Sequence, residues 1–281
     1  MRSQQDNVRR FAANWKKRET KKTNWFCKGR PQNQIELAFQ QHFSFLKEVV
    51  KIPSKGHCLE VGAGRGSLSS FFAQSGYSVT LVDIVPEVLK DAEEIFKKNK
   101  HAHLAQFVVA DAHELPFEDE EFDVITSIGL LEHFKTPSKI IEEQIRVLKK
   151  GGVFTAYVVP EKTSVQTVFK PVNDVLKKAP VGGNSGKKNT KKPLYRNDYD
   201  SGYYVKLLQK NGLKAVKASG VYPFPAISFS PEFPFTLMPS AFERALVTVY
   251  ENLLSQRRKQ GSHPWACDES WGQAFFVWGR K

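Results

Sequence analysis

Cysteine is scarce in this sequence. There are three, Cys27, Cys58 and Cys267, far apart and odd in number. That argues for a reducing compartment and against a disulfide scaffold. No Cys/His cluster has the spacing of a zinc site, so no metal is expected. No apolar run approaches the ~20 residues that a membrane helix needs. The basic N-terminus is not followed by an apolar stretch, so no secretory leader is expected. These absences point to a cytoplasmic location, with peripheral attachment the one membrane role left open. No segment repeats.

Length and charge bound the rest. A chain of 281 residues, 41% hydrophobic, can bury one sizeable core with additions. The net charge of +13 is unevenly spread. Residues 1–30 hold +8 and residues 177–192 hold +6, which leaves the remainder within one charge of neutral. The basicity therefore belongs to two polar segments rather than to the core. Such segments either act as solvated tails or steer anionic partners, namely nucleic acid, an anionic membrane surface or an anionic substrate. Phe11, Trp15, Trp25 and Phe26 are interspersed in the first segment and could stack bases, but no known RNA module surrounds them.

Periodicity gives the organisation. Ile35, Phe39, Phe43, Leu46 and Val50 recur at helical spacing and predict an amphipathic helix over 33–51. Strands are expected at 57–61, 78–83, 105–109, 122–127 and 152–159, with helices at 66–75, 86–99 and 137–149. This alternation implies an α/β, doubly wound, mostly parallel sheet. Residues 160–195 break the rhythm and read as a loop rich in Gly and Lys. Asp198 is expected to cap a helix through Lys210, followed by a strand at 213–219. Residues 222–242 interleave Tyr222, Phe224, Phe229, Phe233, Phe235 and Phe242 with five prolines, which forbids regular structure. A helix at 240–258 and a last strand at 271–279 close the chain. The domains expected are a basic arm or lid at 1–32 and one cofactor-binding domain at 33–281, with insertions at 160–195 and 221–265.

The most informative stretch runs Leu59-Glu60-Val61-Gly62-Ala63-Gly64-Arg65-Gly66-Ser67-Leu68. A buried strand enters a glycine turn that opens a helix, and Asp83 ends the next apolar run. The helix's first N–H groups lack partners, and the acid is placed to bind a ribose. A nucleoside-containing cofactor is implied. The glycine spacing is G-x-G-x-G, with Ser67 where a dinucleotide fingerprint has its third glycine. Glu60 would suit an amino-bearing ligand better than a pyrophosphate.

This stretch resembles motif I of the class I S-adenosylmethionine (SAM) dependent methyltransferases. Ala110-Asp111-Ala112, Leu115-Pro116-Phe117, Phe122-Asp123-Val124-Ile125 and Leu130-Leu131-Glu132-His133-Phe134 resemble the same family in the same order. Arg146-Val147-Leu148-Lys149-Lys150-Gly151-Gly152-Val153-Phe154 resembles its ubiquinone/menaquinone-biosynthesis type. The resemblance covers roughly 35–160, and more weakly 196–220 and 271–280. It implies seven strands in the order 3-2-1-4-5-7-6, the last antiparallel, with N-terminal helices and C-terminal lid insertions.

The resemblance also implies SAM as cofactor, S-adenosylhomocysteine (SAH) as product, and a set of contacts. Gly62, Ala63, Gly64 and Gly66 would floor the pocket beside Glu60. Asp83 would accept both ribose hydroxyls, Ile84 would pack on adenine, and Asp111 with Ala112 would take its amino edge. Ser127 and Ile128 would offer carbonyls to the ammonium. Trp25 and Arg30 would fold over the cofactor. His133 is the first candidate for a general base; the alternative that the resemblance implies is that the Glu132-His133 pair supports the cofactor pocket. Tyr199, Tyr203, Phe224, Phe229, Phe235, His263 and Trp265 are candidates for an acceptor lid, or for packing it onto the core.

Methyl transfer is an in-line displacement, so alignment and desolvation are the main tasks. Ser127-Ile128-Gly129-Leu130 is not the Asn/Asp-Pro-Pro-aromatic of base N-methylation. No cysteine or metal-ligating carboxylate stands at that strand end. The reading is metal-independent O-, N- or C-methylation of a small, apolar or aromatic acceptor. Its rivals are a SAM-binding partner of RNA or an anionic membrane, and a nicotinamide-dependent oxidoreductase. Acceptor identity and oligomeric state are not readable.

Overall fold

The structure is a computed structural model and describes residues 13, 24–176, 195–229 and 237–281. Most of the basic arm, the lysine segment 177–192, Phe233 and Phe235 lie outside the described residues. Helix α1 (Gln34–Phe45) is capped by Asn33, whose side chain accepts from the Ile35 and Glu36 amides. It continues as one π-helical turn, Leu46–Val50, and stops at Lys51 in the left-handed region.

The alternating block then follows the apolar runs. It comprises β1 (His57–Val61), α2 (Ser67–Gln74), β2 (Ser78–Asp83), α3 (Pro86–Lys98), β3 (Ala105–Val109), β4 (Phe122–Ile128), α4 (Ser138–Val147) and β5 (Leu148–Val158). Strand β5 starts four residues earlier than its apolar run predicts, because Leu148 pairs with Phe122 across a register shift. The stretch after β5 is not all loop: it contains α5 (Val165–Val168) and α6 (Lys170–Leu176). Helix α7 (Ser201–Lys210) is capped by Asp200, not Asp198, since the Asp200 carboxylate accepts from the Tyr203 amide at 2.8 Å. Strand β6 (Lys214–Val221), helix α8 (Ser240–Arg258), β7 (Ala266–Cys267) and β8 (Ala274–Arg280) complete the order.

The sheet has eight strands, ordered β3-β2-β1-β4-β5-β8-β6-β7. The expected seven-strand order is present, with β8 antiparallel between β5 and β6. The addition is the two-residue β7, which pairs with Gly220 and Val221 on the outer edge. Each face is buried by helices, as a parallel sheet requires. Alternation along β8 shows the division. Phe276 and Trp278 join Phe45, Phe72, Phe96 and Trp265 on one face, where α1, α2, α3 and α8 pack. Phe275 and Val277 join Ile140, Ile141 and Tyr204 on the other, under α4 and α7.

Strand β1 pairs with β4 only as far as Glu60 opposite Thr126. Past that point β1 turns away at Gly62, while Ser127 and Ile128 stay paired with β5. A crevice therefore opens at the carboxyl ends of β1 and β4, where the strand order reverses. Open α/β sheets bind ligands at such a place.

Candidate cofactor and acceptor site

The glycine turn forms one wall of the crevice. Gly62, Gly64 and Gly66 have φ of +70°, +54° and +66°, a conformation that favours glycine. Space demands glycine as well. A Cβ on Gly66 would lie 2.4 Å from Leu81 Cδ2, and one on Gly62 would lie 2.9 Å from Leu130 Cδ1. The turn is thus clamped between β2 and the Gly129–Leu130 turn, with Ala63 held by its amide on the Val82 carbonyl at 2.9 Å.

Asp83 braces the turn from the tip of β2. Its Oδ2 accepts from the Gly64 amide at 2.8 Å, and Oδ1 from the Val85 amide at 3.0 Å. Burial raises its pKa, against lowering by backbone N–H groups of Val85, Gly64 and Ile84. Each carboxylate oxygen has a further lone pair beyond these amides, which suits a vicinal diol. Ile84 beside it is exposed. Asp111 follows β3, and its Oδ1 faces the His113 amide at 2.9 Å and the His113 ring at 2.6 Å. Those contacts hold its carboxyl below the usual range despite partial burial. Ala112 packs against the second core.

Glu60 is turned toward α2. It is buried, and its Oε2 accepts from the Ser69 amide and hydroxyl. Burial pushes its carboxyl up to about 7, although the Ser69 bonds oppose this. The sequence expectation put this group on the ligand, but here it secures the first turn of α2.

His133 lies in the turn after β4. Its Nδ1 faces the Tyr195 carbonyl at 2.7 Å. A carbonyl only accepts, so Nδ1 carries the proton. Burial depresses its pKa to about 4, helped by Arg196 and opposed by Tyr195. It is therefore a neutral hydrogen-bonding group with little appetite for a proton near pH 7.

The N-terminal segment packs beside the glycine turn, with one correction to the expected contacts. The Trp25 amide donates to Ser67 Oγ and Asn24 Nδ2 to Ser70 Oγ, both at 3.0 Å. Phe26 packs edge-on against Phe71. This strap rests on the first turns of α2. Arg30 does not turn inward. Its guanidinium pairs with Glu251 at 2.8 Å and Thr248 at 2.6 Å on α8, where a counter-charge is available.

The lid aromatics separate. Tyr199 and Tyr203 stack at 4.1 Å and pack on the α4/α7 face. Phe224 stacks on Tyr250 at 4.8 Å on the opposite face. Trp265 is buried there and donates Nε1–H to His42 Nδ1 at 3.0 Å. His263 bridges Ser44 Oγ at 3.2 Å and the Trp265 amide at 3.2 Å, which ties it to α1. The sheet keeps Tyr199 and Tyr203 out of any chamber formed by Phe224 and Trp265, so the single aromatic lid is corrected to two packed groups. Phe229 is half-buried, and Phe235 lies outside the described residues.

Two residues missed by sequence reasoning, His42 and Tyr222, stand near the same edge, beside Glu132 of the Glu-His pair. His42 is buried among Tyr157, Tyr222, Trp265 and Phe276, and desolvation lowers its pKa to about 3. Tyr222 leaves β6 with φ +65°, and its buried hydroxyl has no partner among the described residues. Glu132 sits in a recognised motif, but adjacency to His133 does not tell which side chain points inward. Among the described residues no group of three potential metal ligands gathers.

A family profile described as "Methyltransferase domain" matches residues 59–156. A sterol 4-C-methyltransferase of Caenorhabditis elegans is 32% identical over 124 residues, 44% of this chain and 37% of that protein. A ubiquinone biosynthesis O-methyltransferase of Hydrogenovibrio crunogenus is 30% identical over 108 residues, 38% of this chain and 44% of that one. The matched segments thus span less than half of either relative. Among solved structures, a phosphoethanolamine N-methyltransferase 2 of Haemonchus contortus in complex with S-adenosyl-L-methionine superposes with a TM-score of 0.55 at 20% identity. It covers 86% of this chain and 52% of that one, and shares the fold. Residues 59–156 form a class I SAM-dependent methyltransferase domain, and SAM is the cofactor of that class.

Proposed function

We propose that the protein transfers the SAM methyl group, by in-line displacement, to an O, N or C atom of a small apolar or aromatic acceptor. The observation that carries the cofactor half is the crevice where β1 and β4 part, with the glycine turn on one wall and Asp83 at its rim. In this reading Gly62, Ala63, Gly64 and Gly66 hold the methionine and ribose portions. Asp83 takes the ribose diol, Ile84 and Asp111–Ala112 take adenine, and the Ser127 and Ile128 carbonyls meet the ammonium. The strap at Trp25 covers the site, within an arm or lid at 1–32.

The acceptor half is supported by surface chemistry at the same edge. An open groove of about 370 Å³ lies between Val165, Phe169, Phe224, Leu253 and Trp271. Its wall is largely apolar side chain, which suits an acceptor carrying rings or hydrocarbon. The two relatives above are named for sterol and ubiquinone chemistry, which favours the same class. His133, neutral near pH 7, remains the candidate to act on an acceptor hydrogen.

The test is label transfer. The protein is incubated with methyl-labelled SAM and a whole small-molecule extract with its RNA, then fractionated. Label entering an organic-soluble small molecule is the expected result. Label confined to RNA, or bound SAM with no transfer to any fraction, contradicts the proposal.

A further inference from the structure

Glu132 is only 1% exposed, yet its Oε2 has no hydrogen-bond partner among the described residues. A buried carboxyl oxygen left in that state is unfavourable, and native structures rarely keep one without a use. The chain around it fixes its place. Gly129 ends β4 with φ +66°, and Glu132 Oε1 lies 3.5 Å from where a Cβ on Gly129 would stand. Leu130, between them, closes over Gly62 of the glycine turn. The carboxyl therefore sits against Gly129, the residue that follows Ser127 and Ile128 at the carboxyl end of β4.

The groups that act on it come from every adjoining element. Arg196 precedes α7 and favours the carboxylate, as do the amides of Glu132 itself and of Val159 past β5. Tyr157 of β5 and Tyr204 of α7 both feel its charge. His133 is its neighbour in sequence and is neutral. Burial outweighs these influences and pushes the carboxyl up to about 7.

We propose that Glu132 is the counter-charge for the ammonium on the methionine end of SAM, ionising as the cofactor enters. The carboxyl O–H bond breaks, its proton passes to solvent, and Oε2 accepts an N–H from the ammonium. This rests on the cofactor reading above. Glu60, the other buried carboxyl held near 7, is a weaker candidate because Ser69 already occupies its Oε2.

SAH carries the same ammonium, so it serves as the probe. Its binding is measured by calorimetry at pH 6 and pH 8, in two buffers of different ionisation enthalpy. A group titrating near 7 predicts roughly tenfold weaker binding at pH 6, with nearly one proton released there. Glu132→Gln should weaken binding roughly tenfold or more at pH 8 and flatten the pH dependence. Glu60→Gln should keep the slope. An unchanged slope in Glu132→Gln, loss of the slope in Glu60→Gln instead, or no proton release by the parent protein at pH 6 overturns the inference. The last outcome is independent of how either variant folds. A parent protein that binds no SAH at any pH overturns the cofactor reading, and this inference with it.

Discussion

At the scale of single residues, Asp83 has a structural duty, beside the proposed ribose contact, that its sequence position does not show. Spacing from the glycines marks it as a ribose ligand. Only the structure shows that it also accepts the Gly64 and Val85 amides. Asp83→Ala should therefore cut SAM affinity by at least ~100-fold, because two charge-assisted hydrogen bonds are lost. It should also lower stability by about 2 kcal/mol, because two amides lose their acceptor. Calorimetric titration and chemical unfolding check the two effects separately. Undiminished affinity in a folded variant would contradict the assignment.

Buried carboxyls add a pH signature. Folding holds Glu132 near 7 against an ordinary glutamate value of 4.5, so the neutral form favours the folded state. That contribution is complete below pH 4.5 and is lost as pH rises toward 7. Relative to the parent, Glu132→Gln should gain up to ~3 kcal/mol in stability between pH 5 and pH 8. Denaturant midpoints at the two pH values for both proteins measure this difference, and the histidine contributions cancel in it. Parallel pH profiles would show that the carboxyl ionises freely in the folded protein.

At the scale of elements, the strands were readable because a sheet covered on both faces needs continuous apolar runs. Leu59, Val61, Leu81 and Phe154 advertise themselves. Element ends were less readable. Asp198 and Asp200 are equally good caps on paper, and backbone direction selects Asp200. The early start of β5 depends on pairing with Phe122, a partner 26 residues away that no local pattern encodes. The start of α2 is where element and site meet. Gly66→Ala must place an L side chain at φ +66° and push against Leu81 and Phe96. A loss of about 2–5 kcal/mol is expected from strain and overpacking together. An unchanged denaturant midpoint would mean that the turn relaxes freely.

At the scale of the whole molecule, the fold around the glycine turn was legible and the packing of the C-terminal segments was not. Glycine turns and strand-tip acids obey local rules with fixed spacing, so sequence order alone locates them. That packing joins segments brought together only by the fold. Tyr199 and Tyr203 belong to α7 and its lead-in, so the sheet separates them from Phe224 and Trp265. Arg30 is held on α8 by Glu251, over 200 positions distant in sequence. The eighth strand needs only two residues of pairing and leaves no periodic trace. Among the described residues no helix is long and apolar enough to cross a membrane. The central claim is that the crevice between β1 and β4 holds SAM. A crystal structure with SAH bound tests it most directly. The account predicts the ribose on Asp83, adenine between Ile84 and Asp111, and the amino group at the end of β4 beside Glu132. Density for SAH anywhere else, or a ribose that leaves Asp83 uncontacted, would contradict it.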